Sequence, residues 1–532
     1  MKQRITYVVT KPETFNPEQI SVQKGLNGNA DIFKLNGVSA AKEHRITLGL
    51  DELSQAPIDI KNLKQWHELH IRWTSEVPHS VSPPFTSRVS PGLHIFFTPS
   101  GDRSEVDLCK EIRSVFGQHL KCSSYNETAI KMPMLSERFS MSTASQYYSP
   151  FSFEELDKSV LSETICPSEN EICRNLREHL PSASYIDLDY DAISQAWIFT
   201  AVWPKAPSDA GWTDTIVKRQ GEKSTVEIGV LAHEPNTDPE DIQFGGFLAV
   251  LGQDDKPKPT RFQTPTRHYP LLTADPYNPN STPKLSPLAY TTSLQRPTGL
   301  HPTLTVTLPT EHLTPPDLTC KLHTHLTLPS ALFIDKYQFN DPLFLASKNL
   351  IALRSIAGAT DLEAPDWVVP QWGSAALFEL APPTTPSSDA DIDGDTPSKQ
   401  PTTGSWNISI PLHLRYLPAS NASHTPVGIP WPVVFWACRA DEGEKMSANP
   451  FDRRHLGYEA LFGPKTRFMH VEPATSVGRM VEMLDVPVLD TRKAAWVETG
   501  TVGVVLIAFL GLCWVLFGRI GVRRVEGEKK KQ

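Results

Sequence analysis

The chain has 532 residues, with 51 Lys and Arg against 60 Asp and Glu for a formal charge of −9. That acidic balance argues against nucleic acid as a partner. A hydrophobic share of 39% and a mean hydropathy of −0.29 mean that most apolar residues serve soluble cores, in a chain too long for one ordinary domain.

In chain order, residues 1–10 lack the apolar core of a secretory signal, so entry into a lumen would need another route. Residues 1–190 read as an α+β region. Short strands are expected at 5–9, 68–73 and 92–97, where polar and apolar residues alternate in the last two. Helices are expected at 104–119, from the spacing of Val106, Leu108, Ile112 and Val115, and at 169–180. Residues 191–255 form a β-rich region, with strands at 197–202, 224–230 and 247–251. Residues 256–299, dominated by Pro and Thr, read as a linker. Residues 300–480 are again β-rich, with strands at 301–308, 320–333, 406–410 and 433–438 and a mobile loop at 381–404. The 47 prolines against 29 glycines suit this pattern of short strands. The expected fold class is mainly β with some α: sandwich-like β-rich domains followed by one C-terminal transmembrane helix.

That helix is the uncharged run 499–518, which at 1.5 Å per residue is about 30 Å long, the thickness of a bilayer's hydrocarbon core. Trp496 and Trp514 sit near its two ends. Arg519, Arg523, Arg524 and Lys529 to Lys531 follow it, against Glu526 and Glu528, which places the tail 519–532 in the cytosol and the soluble part across the membrane. Lys529 and Lys530, fourth and third from the end, match a dilysine address for retrieval to the endoplasmic reticulum, and the opposite tail-anchored topology is the rival. The sequons at Asn126, Asn280, Asn407 and Asn421 fit a lumenal, glycosylated soluble part. Gly500, Gly503, Gly511 and Gly518 fall within an arc of about 80° on the helix, a face that another helix can approach closely. Of seven cysteines, Cys513 lies in the apolar run, which leaves six that an oxidising lumen would allow to pair. The spacing of Cys166 and Cys173 suits a small disulfide-closed loop.

No constellation for catalysis emerges. Residues 389–394 imitate the start of an EF-hand loop, but Gln400 stands where a bidentate Glu is needed. His323 and His325 would share one face of a strand without a third ligand, so they read as polar strand positions rather than a metal site. Phosphate loops, nucleophile elbows and zinc-protease helices are all missing. Neither a cofactor nor a catalytic residue is expected.

Two segments carry a resemblance. The first is CKLHTHLTLPSALFIDKYQF at 320–339; the second is PLHLRYLP at 411–418, followed by IPWPVVFWAC at 429–438. With the C-terminal span, and with NPFDR at 449–453 and LGYEALFGP at 456–464, this series resembles the PIG-X family and its fungal counterpart, Pbn, over roughly residues 295–520. The resemblance implies an accessory subunit of glycosylphosphatidylinositol (GPI) mannosyltransferase I in the endoplasmic reticulum membrane. Such a subunit is not itself a transferase. It stabilises a multi-spanning catalytic partner of the PIG-M type, which adds the first α1,4-mannose to the lipid precursor. Fungal members are also tied to folding or processing of other lumenal proteins, so a lumenal chaperone is the alternative. Within the motifs, Asp335, Lys336 and Tyr337 read as a corner fixing sheet geometry. His413 and Arg415 share a strand face, opposite Tyr416, that would either serve the structure or meet a partner or lipid phosphate. Pro430, Phe435 and Trp436 belong to the second motif, and Cys320 and Cys438 are expected to pair across the sheet.

Overall fold

The computed structural model describes residues 1–528 except 26–28, 50–51, 53–64, 81, 101–107, 117–119, 123, 134–144, 151, 153–170, 220–222, 235–240, 274–283, 297–298, 384–403, 441–450 and 452–455. The chain divides into two compact units. The first comprises Met1–Ala364, Val369–Arg415 and Gly428–Glu482; the second comprises Pro365–Val368, Tyr416–Val427 and Met483–Gln532.

The first unit is built on an eleven-stranded sheet. Fourth from one edge is the N-terminal strand Lys2–Val9, which pairs antiparallel with Ala40–Gly49 and parallel with Thr225–Glu234. Parallel pairing of residues more than 200 positions apart joins strands from Lys2 to Pro265 in one sheet that runs across the position 190/191, while Ile20–Gln23, Asp31–Val38 and Trp212–Lys218 form a separate three-stranded sheet. Both faces of this sheet are covered. Tyr7, Phe33, Phe199 and Trp66 fill one core, while Val8, Ala41, Val202 and Phe244 fill another. Burial on both faces explains why Ala40–Gly49 is buried along most of its length rather than at alternate positions.

A six-stranded sheet takes its strands from both chain halves, in the order His268–Pro270, Thr466–His470, Val433–Arg439, Lys321–Pro329, Gly373–Leu380, Leu350–Gly358. It packs on the first sheet within the same unit. The Trp372 Nε1–H donates to Gln146 O at 2.8 Å, and the Tyr458 hydroxyl donates to Arg88 O at 3.0 Å. A four-stranded sheet, Ser405–Pro411, Thr303–Pro309, Ala289–Leu294 and Glu472–Pro473, completes the unit's larger sheets.

The stretch 256–299, expected as a linker, instead carries the strands Lys258–Pro265, His268–Pro270 and Ala289–Leu294. Lys258–Pro265 pairs with the preceding strand Asp241–Val250, Ala289–Leu294 with Thr303–Pro309 and Glu472–Pro473, and His268–Pro270 with Phe468 to His470, and prolines are tolerated because Lys258–Pro265 and His268–Pro270 are edge strands. Most of the expected loop 381–404, with the calcium-loop mimic, lies outside the described residues, as do Asn280 and Lys529–Lys530.

In the second unit the segments are tied by backbone hydrogen bonds: Asp366 N to Tyr416 O at 3.0 Å, Ser420 N to Leu489 O at 3.1 Å and Thr491 N to Ser420 O at 2.9 Å. Asp490 then caps a short 3-10 turn, its side chain accepting from Arg492 N, before the helix Ala494–Glu528 begins. Its portion to Phe517 is long and apolar enough to cross a membrane.

Candidate functional site

The motif strands lie at the centre of the six-stranded sheet. Lys321–Pro329 pairs with Val433–Arg439 in the register Lys321↔Ala437 and His323↔Phe435, and with Gly373–Leu380 in the register His323↔Glu379. Strand alternation then places Lys321, His323, His325, Leu377, Glu379, Phe435, Ala437 and Arg439 on one face. Cys320 and Cys438 stand next in the same register and are joined, with Sγ atoms 2.03 Å apart. The disulfide therefore sits beside two cations, Lys321 and Arg439.

That face changes character along the strands. At the His325 end it is buried among aromatic rings: Phe435 stacks on Tyr458 at 5.0 Å and on His323 at 5.8 Å, and Phe468 meets Phe435 at 5.6 Å. Several histidines bring polar atoms into this layer. His268 places Nδ1 2.9 Å from His470 Nε2 and Nε2 3.3 Å from Glu459 Oε1. Burial pulls His325 down to about 4 and His323 to about 4, and it holds His470 well below the usual imidazole range. His94, on the opposing sheet, is pulled to about 3, again by burial first. His94, His323, His325 and His470 are therefore neutral at physiological pH.

At the Lys321 end the same face opens into a cleft of about 820 Å³. Its lining includes Lys321, Arg354, Arg439 and Lys465, the single carboxylate Glu379, and Phe462 from the segment that precedes Thr466–His470. Both Glu379 oxygens are engaged, Oε1 by Lys321 Nζ at 3.3 Å and Oε2 by the Arg354 guanidinium. The arrangement suits a negatively charged group. Asp317 lies within metal-ligand reach of Cys320 and Cys438, but the two sulfurs are bonded to each other, which removes the thiolates a metal needs.

The other expected residues are dispersed. Asp335 accepts from Tyr337 N at 2.9 Å in a tight turn, with Lys336 and Tyr337 exposed. His413 stacks on Phe333 at 5.1 Å and lies 3.0 Å, Nδ1 to Nδ1, from His301. Arg415 does not join it on an exposed face. It is 3% exposed, donates Nη1–H to Ala364 O at 2.6 Å and covers the Phe333 ring at 4.4 Å. The strand ends at Leu414, so alternation no longer applies at Arg415. Tyr416, in the second unit, is exposed. Pro430, Phe435 and Trp436 are buried. Asn126, Asn407 and Asn421 are exposed. Gly500, Gly503 and Gly511 have open space where a Cβ would stand, and Gly518 is helical. A second disulfide joins Cys109 and Cys122 and Cys513 is free, while the Cys166–Cys173 pairing lies outside the described residues. Sequence reasoning missed Arg354, Arg439 and Lys465. Lys321 and Arg439 had a legible signal, since each directly follows a motif cysteine.

Fold and cleft together define a β-rich protein with, among the described residues, one helix of membrane-spanning length. The family profile described as PIG-X / PBN1 matches residues 297–517. Similarity to curated relatives reaches further. The chain is 41% identical to protein pbn1 of Emericella nidulans over 97% of its own length and 95% of the relative's. Against protein pbn1 of Neurospora crassa it is 37% identical, with 97% and 95% covered. Against protein PBN1 of Saccharomyces cerevisiae it is 26% identical, with 89% and 96% covered. The chain belongs to the PIG-X / PBN1 family, and its N-terminal half is shared with the fungal members. Likeness to a solved chain, the C-terminal domain of the Streptococcus agalactiae AgI/II polypeptide BspA, has a TM-score of 0.11 at 6% identity and carries no argument.

Proposed function

We propose that this protein is a non-catalytic accessory subunit of GPI mannosyltransferase I, which binds and stabilises the multi-spanning catalytic subunit that adds the first α1,4-mannose to the GPI precursor. The observation that carries the reading is membership of the PIG-X / PBN1 family over nearly the whole chain. The architecture agrees: among the described residues a large β-rich part offers binding surface and one helix is of membrane-spanning length, and one span cannot by itself enclose a polyprenyl-phosphate donor and a lipid acceptor. In this reading the body is lumenal, the tail is cytosolic and the membrane is that of the endoplasmic reticulum.

Depletion of the protein in its host tests the role. The expected result is accumulation of the unmannosylated glucosaminyl lipid together with loss of the catalytic subunit, and affinity purification should yield that multi-spanning subunit in stoichiometric amount. Normal mannosylation with a broad set of misfolded lumenal proteins would favour the chaperone alternative. Endoglycosidase H sensitivity, removed by mutating Asn126, Asn407 and Asn421 in turn, tests the lumenal orientation.

A further inference from the structure

We propose that the cleft beside the Cys320–Cys438 disulfide binds a phosphate ester of headgroup size, an inference that stands whether or not the mannosyltransferase reading holds. Four cations, Lys321, Arg354, Arg439 and Lys465, converge on it. Glu379 offsets one of them and is already held by Arg354 and Lys321. His323, pulled to about 4 by burial, adds no charge at neutral pH. The cleft is left with a formal excess of three positive charges. Among the described residues no carboxylate pairs with Arg439 or Lys465.

The geometry favours phosphate over a diffuse anion. Lys321 and Arg439 each follow a cysteine of one disulfide, so their backbone positions are set before any ligand arrives and only side-chain freedom remains to be lost. Guanidinium forks match paired phosphate oxygens, and Lys supplies a point charge. Leu377, Ala437 and Phe462 add an apolar strip against which a sugar or polyol ring can lie. A volume of about 820 Å³ falls in the range of small-ligand sites and exceeds the need of phosphate alone.

The full chain in phosphatidylcholine nanodiscs is titrated with myo-inositol 1-phosphate and with inorganic phosphate, and compared with Arg439→Glu/Lys465→Glu. Both side chains are exposed, so folding should persist, as checked by the melting midpoint and by intact disulfides. Binding of inositol phosphate that weakens with salt and falls at least about tenfold in the variant is the expected result. Competition from nanodiscs containing phosphatidylinositol identifies a lipid headgroup as the source. Binding without such competition identifies a soluble phosphate ester. Failure of both probes to bind, or equal affinity in the variant, overturns the site.

A second inference rests on the second unit alone. We infer that Trp367, Val368 and Tyr416 lie in the headgroup layer of the membrane that the helix crosses. They are 60%, 61% and 72% exposed, and in the same unit Leu489 and Trp496, at the approach to the span, are 53% and 83% exposed. The bond from Asp366 N to Tyr416 O fixes the Trp367 segment beside Tyr416. Four residues on, Ser420 is bonded to Leu489 and Thr491, so Tyr416 lies within about 14 Å of Ser420, which is tied to the chain leading into the span. Exposed Trp and Tyr are favoured at the membrane–water boundary, where the ring meets apolar chain and the polar edge meets water. A nitroxide placed by Trp367→Cys in a Cys513→Ser background should show oxygen accessibility of the headgroup region. The same nitroxide free in buffer gives the aqueous reference. Accessibility equal to that reference overturns the inference.

Discussion

Arg415 shows what burial asks of a charged side chain. Its guanidinium is shielded from water, so it must find partners, and it does so on the Ala364 carbonyl and the Phe333 ring. Arg415→Ala should leave that carbonyl unsatisfied and a hole beside Phe333, at a cost of about 3 kcal/mol. A fall in the thermal midpoint of the detergent-purified protein checks it, and Arg415→Lys should recover little because its point charge lacks the planar fork. Gly457 is constrained differently. Its φ is +93°, and a Cβ there would stand 3.0 Å from Phe96 Cε1 and 3.2 Å from Met132 Cε. Gly457→Ala should cost about 1–3 kcal/mol, whereas Gly229→Ala, whose Cβ would meet nothing nearer than 3.8 Å, should cost distinctly less. Denaturant midpoints of the two variants measure the difference.

At the scale of elements, the two disulfides among the described residues close loops of very different length, 118 residues for Cys320–Cys438 and 13 for Cys109–Cys122. On the chain-entropy account, Cys320→Ser/Cys438→Ser should lose about 4–5 kcal/mol and Cys109→Ser/Cys122→Ser about 3 kcal/mol. Unfolding curves of the two double variants compare them directly; equal losses would mean that native contacts, not loop closure, dominate. The membrane helix carries a separate expectation. Gly503 and Gly511 have nothing within 4 Å where a side chain would begin, so that face has room for a second helix. On the accessory-subunit reading proposed above, Gly503→Leu/Gly511→Leu should reduce co-purification of the catalytic subunit several-fold while the melting midpoint of the β-rich body stays unchanged. Unaltered recovery would move the contact off this face.

For the whole molecule, the histidine layer between the sheets makes stability depend on pH. His94, His323 and His325 titrate near 3 to 4 in the fold, below the ordinary 6.5, so the folded state holds them neutral. The unfolded chain takes up protons on them below about pH 6.5, which draws the equilibrium toward unfolding. Their contribution is complete above pH 6.5 and is lost as the pH falls toward 4. At pH 5 each such group costs up to about 2 kcal/mol. The melting midpoint should therefore be flat near neutrality and fall by several degrees between pH 7 and 5; a flat profile over that whole range would refute burial of these rings in neutral form.

The sequence by itself determined the elements whose signal is local. The apolar run 499–518 appears as part of the helix Ala494–Glu528, because bilayer thickness and helix rise fix what such a run can be. The strands at 5–9, 92–97, 197–202 and 433–438 were legible from alternation and β-branched or aromatic content. Tertiary structure alone decided the pairings. Lys2–Val9 lies beside Thr225–Glu234, and His268–Pro270 beside Thr466–His470, through hydrogen bonds that leave no mark on either segment. The cleft is of the same kind: Lys321, Arg354, Glu379, Arg439 and Lys465 stand on or beside five different strands. Charge convergence depends on sheet order and register, and those are set by the sum of many weak contacts across the fold rather than by any one stretch of chain.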